Sequence, residues 1–239
     1  MTAGSPSVSI VVFAYDEAPS VGAMLAELRG WLEAHEPRAE IVLVDDGSRD
    51  ATVEVAARAL SGSVHRIERH ARNRGIGAAL KTGVAASRAP LVTFLPADGQ
   101  VPPTAVGVLL ERQRRTGADV VLSVYRRRDD GVHRKVLSVG VRVLVAAVHG
   151  VWLRSDGPYL FRRALFDATQ LPADSFFLNF EFPLRALRAG LHVQTVEVDC
   201  RPRRAGRSKS TGAGRIAAVA RDLFALRVRR IREGMGRLR

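Results

Sequence analysis

The chain has 239 residues, of which 46% are hydrophobic and 26% charged, a composition typical of one large globular domain with a substantial core. The formal net charge is +13, and most of this excess lies in residues 201–239, where thirteen Lys and Arg residues stand against two acidic ones. Such a segment suits nucleic acid, anionic lipid or a pyrophosphate, and charge alone does not choose among them. The single cysteine, Cys200, excludes an intrachain disulfide and a multi-cysteine zinc site, and fits a reducing compartment.

The sequence contains no obvious targeting or membrane-spanning segment. The apolar run at 8–14 has the length of a strand and lacks a cleavage site, so we expect the mature chain to begin here. The most apolar later segment, 136–153, is interrupted by Arg142 and His149 and falls short of the roughly 20 apolar residues that a spanning helix needs. We therefore predict no transmembrane helix.

Short apolar runs alternate with helix-patterned segments over the first half of the chain. Strands are predicted at 9–13, 41–44, 64–67, 91–95 and 120–124, and helices at 18–34, 50–60, 76–87 and 103–116. This alternation predicts an α/β fold with a mostly parallel central sheet and helices on both faces.

The pattern changes after Tyr125. We predict, in order, a hydrophilic turn at 126–131, an amphipathic helix at about 133–152, a returning segment at 159–163, a helix at about 175–189, a strand at 193–198 and a basic loop at 201–210. The first helix of this part is interpreted as an excursion from the sheet. Residues 1–210 are assigned to one domain, and 211–239 to a basic amphipathic C-terminal helix.

Two acidic loops follow predicted strands, VDDGS at 44–48 and LPADGQ at 95–100. Ligands of open α/β sheets bind outside the carboxyl ends of the strands, so both loops can reach one ligand. One pocket, of the kind that binds a nucleotide-sugar, is a simpler interpretation than two unrelated loops.

Five motifs occur together along the chain. They are FAYDE at 13–17, VDDGS at 44–48, RNRGIGAALKTG at 72–83, ADGQVPP at 97–103 and RAGRSK at 204–209. Each is weak alone, but in this order and spacing the chain, from about Val8 to Lys209, resembles the family 2 glycosyltransferases of GT-A fold. Within that family it is most similar to the polyprenyl-phosphate (dolichyl-phosphate) mannose or glucose synthases. The resemblance implies inverting transfer of a hexose from a GDP- or UDP-sugar to a membrane polyprenyl phosphate.

The same resemblance implies a nucleotide site. Its residues would be Ala14, Tyr15, Glu17, Asp46, Gly75, Lys81 and Asp98. An alternative for Glu17 and Asp46 is that each is a carboxylate stabilised by a helix dipole. The segment 75–83 is not a dinucleotide fingerprint, because Leu80 stands where the third glycine belongs. The resemblance implies that its small residues let the helix pack closely under the nucleotide; the alternative is that they serve helix–sheet packing alone.

Asp98 and Gln100 are the candidate metal ligands. The family's metal loop usually reads Asp-x-Asp, and here Pro96 stands at the first aspartate's position. One carboxylate and one amide still provide the hard oxygen donors that suit Mg²⁺ or Mn²⁺, the expected cofactor, which would neutralise the departing diphosphate. The alternative is that Asp98 only caps the next helix.

The resemblance places catalysis on Asp98, Arg207, Lys209 and Glu181, and phosphate binding on Arg204, Arg207 and Lys209. Guanidinium and ammonium groups can clamp phosphate oxygens, although a solvated basic run would look the same in sequence. Glu181 would act as a base only for a hydroxyl acceptor, because a phosphate monoester, with a second pKa of about 6, is already an anion. Its alternative role is an i,i+4 pair with Arg185.

A basic amphipathic helix is predicted at 216–231, with apolar residues at helical spacing among arginines. Such helices lie in the membrane interface, so we expect a cytoplasmic enzyme peripherally attached to the inner face of the membrane. The alternatives are a helix packed on the domain or pairing in an oligomer, and the oligomeric state is left open.

There are three alternatives to this function. A soluble acceptor would also fit the lack of membrane spans, and Pro96 would fit a GT-A-fold protein that binds nucleotide with impaired turnover. Nucleic acid is not expected as a partner, because the basic segments lack interleaved aromatic residues and no binding module is recognisable.

Overall fold

The computed structural model describes residues 5–126, 143, 145–148, 150–171, 174, 178–202 and 221–228. The strands are β1 (Val8–Ala14), β2 (Ala39–Asp45), β3 (His65–Arg69), β4 (Leu91–Pro96), β5 (Val120–Tyr125), β6 (Leu160–Arg162) and β7 (Val193–Val198). The helices are α1 (Ala18–His35), α2 (Thr52–Leu60), α3 (Ile76–Ala86), α4 (Thr104–Thr116) and α5 (Leu178–Arg188), with a 3-10 turn at Arg163–Leu165. The predicted strands and helices in these ranges are therefore confirmed, with described ends that differ from the predicted ones by at most two residues; the predicted start of the helix at about 175 lies outside the described residues.

The seven strands form one sheet in the order β3-β2-β1-β4-β6-β5-β7. Only the short strand β6 runs antiparallel to its neighbours, so the expectation of a mostly parallel sheet is confirmed. The register places Phe13 opposite both Val44 and Pro96. The acidic loops after β2 and β4 therefore leave the sheet on either side of the end of β1, as the two-loop interpretation requires.

Helices cover both faces of the sheet, as predicted. On one face α1, α2 and α4 bury residues such as Leu25, Leu28 and Leu109 against the strands. On the other face α3 and α5 pack over an aromatic group, in which the rings of Phe94 and Tyr159 meet edge to face at 4.7 Å. Both faces are apolar because residues alternate in direction along each buried strand.

Helix α3 lies unusually close to the sheet. A methyl group on Gly83 would overlap the Cγ1 atom of Val11 in β1, so only glycine allows this approach. Because α3 follows β3, which is parallel to β2, the N-terminus of α3 lies at the carboxyl edge of the sheet, the edge that carries the acidic loops.

Parts of the two predicted amphipathic helices lie within the described ranges. Residues 143 and 145–148 are helical, whereas 151–156 have no regular secondary structure, so the first predicted helix does not extend to Trp152. Residues 221–228 are helical, and Leu223 and Leu226 are buried in the same core cluster as Tyr159. No helix in the described part of the chain has the length and apolarity needed to cross a bilayer.

Candidate functional site

The loop after β1 is joined to the loop after β2 by hydrogen bonds. Asp16 Oδ1 accepts from the backbone N–H of Arg49, and its own N–H donates to Ser48 Oγ, both at 2.8 Å. The backbone N–H of Glu17 donates to Thr52 Oγ1, also at 2.8 Å. Asp16 has a φ of 50°, a left-handed conformation that aspartate tolerates better than most residues. The two loops therefore form one unit.

The first three predicted nucleotide residues lie at this unit. Ala14 is buried at the end of β1, and Tyr15 follows it half-buried. Glu17 directly precedes α1, and its Oε2 atom accepts a 2.8 Å hydrogen bond from Ser20 Oγ. The position of Glu17 at the helix start is compatible with the dipole alternative, and its carboxylate is also adjacent to the shared sheet edge.

Asp46 occupies the centre of the edge. It is 5% exposed, and its backbone N–H donates to the carbonyl oxygen of Ala14 at 2.8 Å. Its carboxylate accepts hydrogen bonds from the backbone N–H groups of Arg74 (2.9 Å, to Oδ1) and Gly75 (2.8 Å, to Oδ2), and from the ring of His70 (2.7 Å, to Oδ1). Asp46 thus holds the loop that leads into α3.

Two glycines allow these loops to approach one another. Gly47 has a φ of +76°, and a Cβ atom there would lie 2.5 Å from the backbone carbon of Arg72. Gly75 has a φ of +97°, and a Cβ atom there would lie 2.9 Å from the carbonyl oxygen of Asp174. Both positions require glycine for conformation and for space.

Lys81 lies one to two turns into α3 and contacts Asp174, a residue that no sequence motif marks. The Lys81 Nζ atom is 2.8 Å from Asp174 Oδ1, and the Asp174 carbonyl oxygen accepts from the N–H of Gly77 at 3.0 Å. The segment that precedes α5 is therefore bound to the start of α3. Gly75 and Lys81 both lie against it.

Asp98 and Gln100 lie in the turn after β4. Asp98 is buried, and its Oδ1 atom accepts the backbone N–H of Gln100 at 3.0 Å. Helix α4 begins at Thr104 without a side-chain cap, so capping of that helix does not explain the carboxylate at Asp98. Pro96 is the last residue of β4, paired with Phe13.

Gln100 also contacts the segment that leads into the basic loop. The backbone N–H of Arg201 donates to the Gln100 carbonyl oxygen at 2.8 Å, and Gln100 Nε2 is 3.4 Å from the Arg201 carbonyl oxygen. Because the amide nitrogen is used in this way, the hard donor atom, Gln100 Oε1, is left for another ligand. Arg204, Arg207 and Lys209 lie outside the described residues.

The donor set at this turn fits a hard divalent cation. Among the residues that the structure describes, no three His, Cys, Asp or Glu side chains are grouped to hold a metal ion by themselves. One carboxylate and one amide oxygen match the way Mg²⁺ is usually bound, through one or two protein oxygens together with waters and substrate phosphates. Such a site would be completed by the ligand.

Glu181 lies in α5 and is buried. Its Oε1 atom accepts hydrogen bonds from Arg185 Nε at 3.2 Å and from a terminal nitrogen of the same guanidinium at 3.1 Å. The i,i+4 pair considered as an alternative for Glu181 is therefore present. Burial raises the pKa of the Tyr159 phenol, whose ring stacks on Phe182 of the same helix, far above its usual value of about 10, so this hydroxyl stays neutral.

The chain is similar to a family of known proteins. The family model described as "Glycosyl transferase family 2" matches residues 9–187. The chain belongs to this family. Its relatives include the undecaprenyl-phosphate 4-deoxy-4-formamido-L-arabinose transferase of Aeromonas hydrophila, 33% identical over 165 residues that make up 67% of this chain and 50% of the relative. The dodecaprenyl-phosphate galacturonate synthase of Rhizobium johnstonii is 30% identical over 64% of this chain and 46% of its own length.

This family 2 chain spans about half the length of the curated relatives it matches. Among solved structures, it is similar to the glucosyl-3-phosphoglycerate synthase of Mycobacterium tuberculosis in complex with Mn²⁺, UDP and glucosyl-3-phosphoglycerate. The TM-score is 0.68 at 22% identity, over 93% of this chain and 78% of the other. A likeness at this identity concerns the fold, and it confirms the GT-A fold expected from the motifs.

Proposed function

We propose that this family 2 protein transfers a hexose from a GDP- or UDP-sugar to a polyprenyl phosphate, with inversion at the anomeric carbon. The observation that carries the proposal is the contact between Arg201 and Gln100 (2.8 Å), which brings the start of the basic loop to the turn of the candidate metal ligands. Relatives named for undecaprenyl and dodecaprenyl phosphate support a polyprenyl phosphate as the acceptor.

The donor nucleotide is proposed to lie along the edge formed by the loops after β1, β2 and β3. Ala14, Tyr15, Glu17 and Asp46 would face the base and ribose, because carboxylates accept hydrogen bonds from ring N–H and sugar hydroxyl groups. Gly75 would let the backbone approach the ligand, and Lys81 would exchange its contact with Asp174 for a phosphate oxygen.

The diphosphate is proposed to lie over the turn after β4. Asp98 and Gln100 would hold a Mg²⁺ or Mn²⁺ ion, which when bound neutralises charge on the leaving diphosphate. Arg204, Arg207 and Lys209 would clamp the diphosphate or the acceptor phosphate. Their arrangement lies outside the described residues, so their roles rest on the family motif.

The transfer itself needs little proton chemistry. A phosphate oxygen of the acceptor forms a bond to the anomeric carbon while the bond from that carbon to the diphosphate oxygen breaks. The acceptor is already anionic near neutral pH, so no side chain has to remove a proton. Glu181 would be needed as a base only for a hydroxyl acceptor, and its buried pair with Arg185 favours a structural role.

Membrane attachment is proposed through the C-terminal helix. Leu223 and Leu226 face the core, whereas Phe224 and Val228 are exposed beside Arg221 and Arg227. An apolar strip flanked by arginines suits an anionic membrane surface. We therefore expect a peripheral position on the cytoplasmic, inner face of the membrane, where the lipid acceptor is reached.

The test is transfer from a panel of labelled GDP- and UDP-sugars to a short polyprenyl phosphate in detergent, with Mg²⁺ or Mn²⁺ and with a chelator. Product from one donor that disappears on chelation is expected. A soluble phosphorylated acceptor is assayed in parallel, and product with it alone would overturn the lipid acceptor.

A second candidate is a protein that binds the nucleotide but has impaired turnover. Pro96 favours it, because the position where the family usually has the first metal-binding aspartate offers no ligand. Binding of UDP or GDP by calorimetry, without consumption of any sugar donor, would support this candidate against the first.

A further inference from the structure

A buried imidazole lies next to the proposed nucleotide site and belongs to none of the five motifs. His70 directly follows β3, is 7% exposed, and donates its backbone N–H to the carbonyl oxygen of Asp45 at 2.9 Å. Its Nδ1 atom is 2.7 Å from Asp46 Oδ1, and its Nε2 atom is 2.9 Å from Thr82 Oγ1 in α3. The ring therefore joins the ends of β2 and β3 to α3.

The partners of His70 fix its hydrogen-bonding pattern. A carboxylate only accepts hydrogen bonds, so Nδ1 carries a proton and donates it to Asp46. In the neutral ring Nε2 is then an acceptor, and the Thr82 hydroxyl can donate to it. The two ring nitrogens of His70 are therefore both paired, one with the buried Asp46 and one with the half-buried Thr82.

The contact with His70 determines which acceptor sites of the Asp46 carboxylate remain for a ligand. Oδ1 accepts from His70 and from the N–H of Arg74, and Oδ2 accepts from the N–H of Gly75. A carboxylate has about four acceptor sites, so the described contacts leave one site, on Oδ2. With Oδ1 occupied by two donors, the carboxylate cannot rotate without breaking several hydrogen bonds.

We propose that His70 is a positioning residue of the nucleotide subsite: it fixes the Asp46 carboxylate, which holds the backbone at Arg74 and Gly75 and offers Oδ2 to a donor group of the base or ribose. The inference rests on the proposed function. A side chain and loop that are already ordered lose less conformational entropy when the ligand binds. Since His70 lies behind the nucleotide, it is expected to affect binding of the donor more than the chemical step.

Two amide substitutions separate the two ring contacts of His70. In His70→Asn the amide nitrogen can replace Nδ1 and still donate to Asp46, whereas in His70→Gln the longer side chain reaches toward Thr82 and the donor to Asp46 is lost. We expect His70→Asn to stay within about threefold of the unchanged protein in donor KM. We expect His70→Gln to raise donor KM, and the Kd for UDP or GDP, by about tenfold or more, with kcat within about twofold.

Hydrogen exchange measures, without a ligand, how firmly Asp46 holds the backbone at Arg74 and Gly75. The amides of Arg74 and Gly75 both donate to Asp46, so their exchange should become faster in His70→Gln and stay near that of the unchanged protein in His70→Asn. His65→Gln is the matched control. It changes a half-buried histidine of β3 that bonds to Ser63, and it should alter neither exchange nor KM.

Equal effects of His70→Asn and His70→Gln on KM, or unchanged exchange at positions 74 and 75 in His70→Gln, would overturn the inference. If the unchanged protein binds neither UDP nor GDP while the exchange responds as expected, His70 does position Asp46 and the proposed function fails. Should His70→Gln not fold, Thr82→Val loosens the ring from its Nε2 side only. A raised Kd is expected there too, and an unchanged Kd would count against the inference.

Discussion

Arg201 and Gln100 are joined through their backbones, with the Arg201 N–H 2.8 Å from the Gln100 carbonyl oxygen. The guanidinium of Arg201 in turn lies 2.8 Å from Glu27 Oε1 in α1. The chain that leads into the basic loop is thus held between the turn after β4 and the first helix. This contact is what the proposed function requires of the segment that precedes Arg204, Arg207 and Lys209, the proposed phosphate-binding residues.

The first prediction concerns Asp98. Replacing it by Asn keeps an acceptor for the Gln100 N–H, and so the turn, but removes the charge that would hold the cation. We expect sugar transfer to fall by about a hundredfold or more, with the fold retained, as circular dichroism checks. Initial rates at saturating donor and Mn²⁺ measure the effect. Full activity in Asp98→Asn would remove the metal from the proposal.

The sheet and its helices could be predicted because they depend on local patterns. The run at 193–198 is a strand with the predicted ends, and the position of the loops after β2 and β4 follows from parallel strands ending at one edge. The strand order, with β6 inserted antiparallel between β4 and β5, could not be predicted, because strand pairing depends on contacts between distant parts of the chain.

The side-chain contacts within the site could not be predicted from the sequence either. Lys81 meets Asp174, 93 positions away along the chain, and no motif contains Asp174. His70 bonds to Asp46 across 24 positions, and a lone histidine after a strand gives no signal of its partner. The motifs predicted which residues gather at the edge, whereas the tertiary structure decides which of them already have partners.

The second prediction concerns the hydroxyl of Tyr159, which is fully buried and has no hydrogen-bond partner among the residues that the structure describes. Burying an unpaired hydroxyl costs free energy, and phenylalanine would keep the ring contacts with Phe94 and Phe182. We expect Tyr159→Phe to raise the free energy of unfolding by about 1 kcal/mol. Urea denaturation at pH 7 checks this. A loss of stability would show that the hydroxyl has a partner.

The same substitution predicts a pH dependence. Burial raises the pKa of the Tyr159 phenol far above its usual value, so above pH of about 10 the unfolded chain releases a proton that the folded state keeps. Below pH 10 the phenol therefore leaves the free energy of unfolding independent of pH, and as the pH rises further the phenol lowers that free energy. Between pH 9 and pH 11 the unchanged protein should lose about 1.4 kcal/mol in total relative to Tyr159→Phe, because the full slope of about 1.4 kcal/mol per pH unit is reached only well above pH 10. Parallel unfolding curves from pH 9 to 11 measure the difference, and a constant difference would contradict it.

The third prediction tests the close approach of α3 to β1. Gly83→Ala would force its methyl group against Val11, so we expect a loss of about 1–3 kcal/mol in the free energy of unfolding. Adding Val11→Ala should return part of that loss, which a double-mutant cycle measures. Gly30→Ala is the control: Gly30 lies in α1 with no atom within 4 Å of the added Cβ, and it should gain stability. Additive effects of the first pair would contradict the contact.

The last prediction concerns the exposed strip of the C-terminal helix. Phe224 and Val228 are 53% and 48% exposed, and inserting both into a membrane interface would remove apolar surface from water. Replacing both by Ser should weaken binding to vesicles that contain anionic phosphatidylglycerol by about tenfold or more, as measured by co-sedimentation. Binding of the unchanged protein and of the double variant should fall with rising salt.

Val64→Ser is the control. It removes a side chain that is 68% exposed and directly precedes β3, and it should not change vesicle binding. An equal loss of vesicle binding in the Phe224 and Val228 double variant and in Val64→Ser would show that the helix strip is not the attachment surface, because any exposed apolar side chain would then contribute as much.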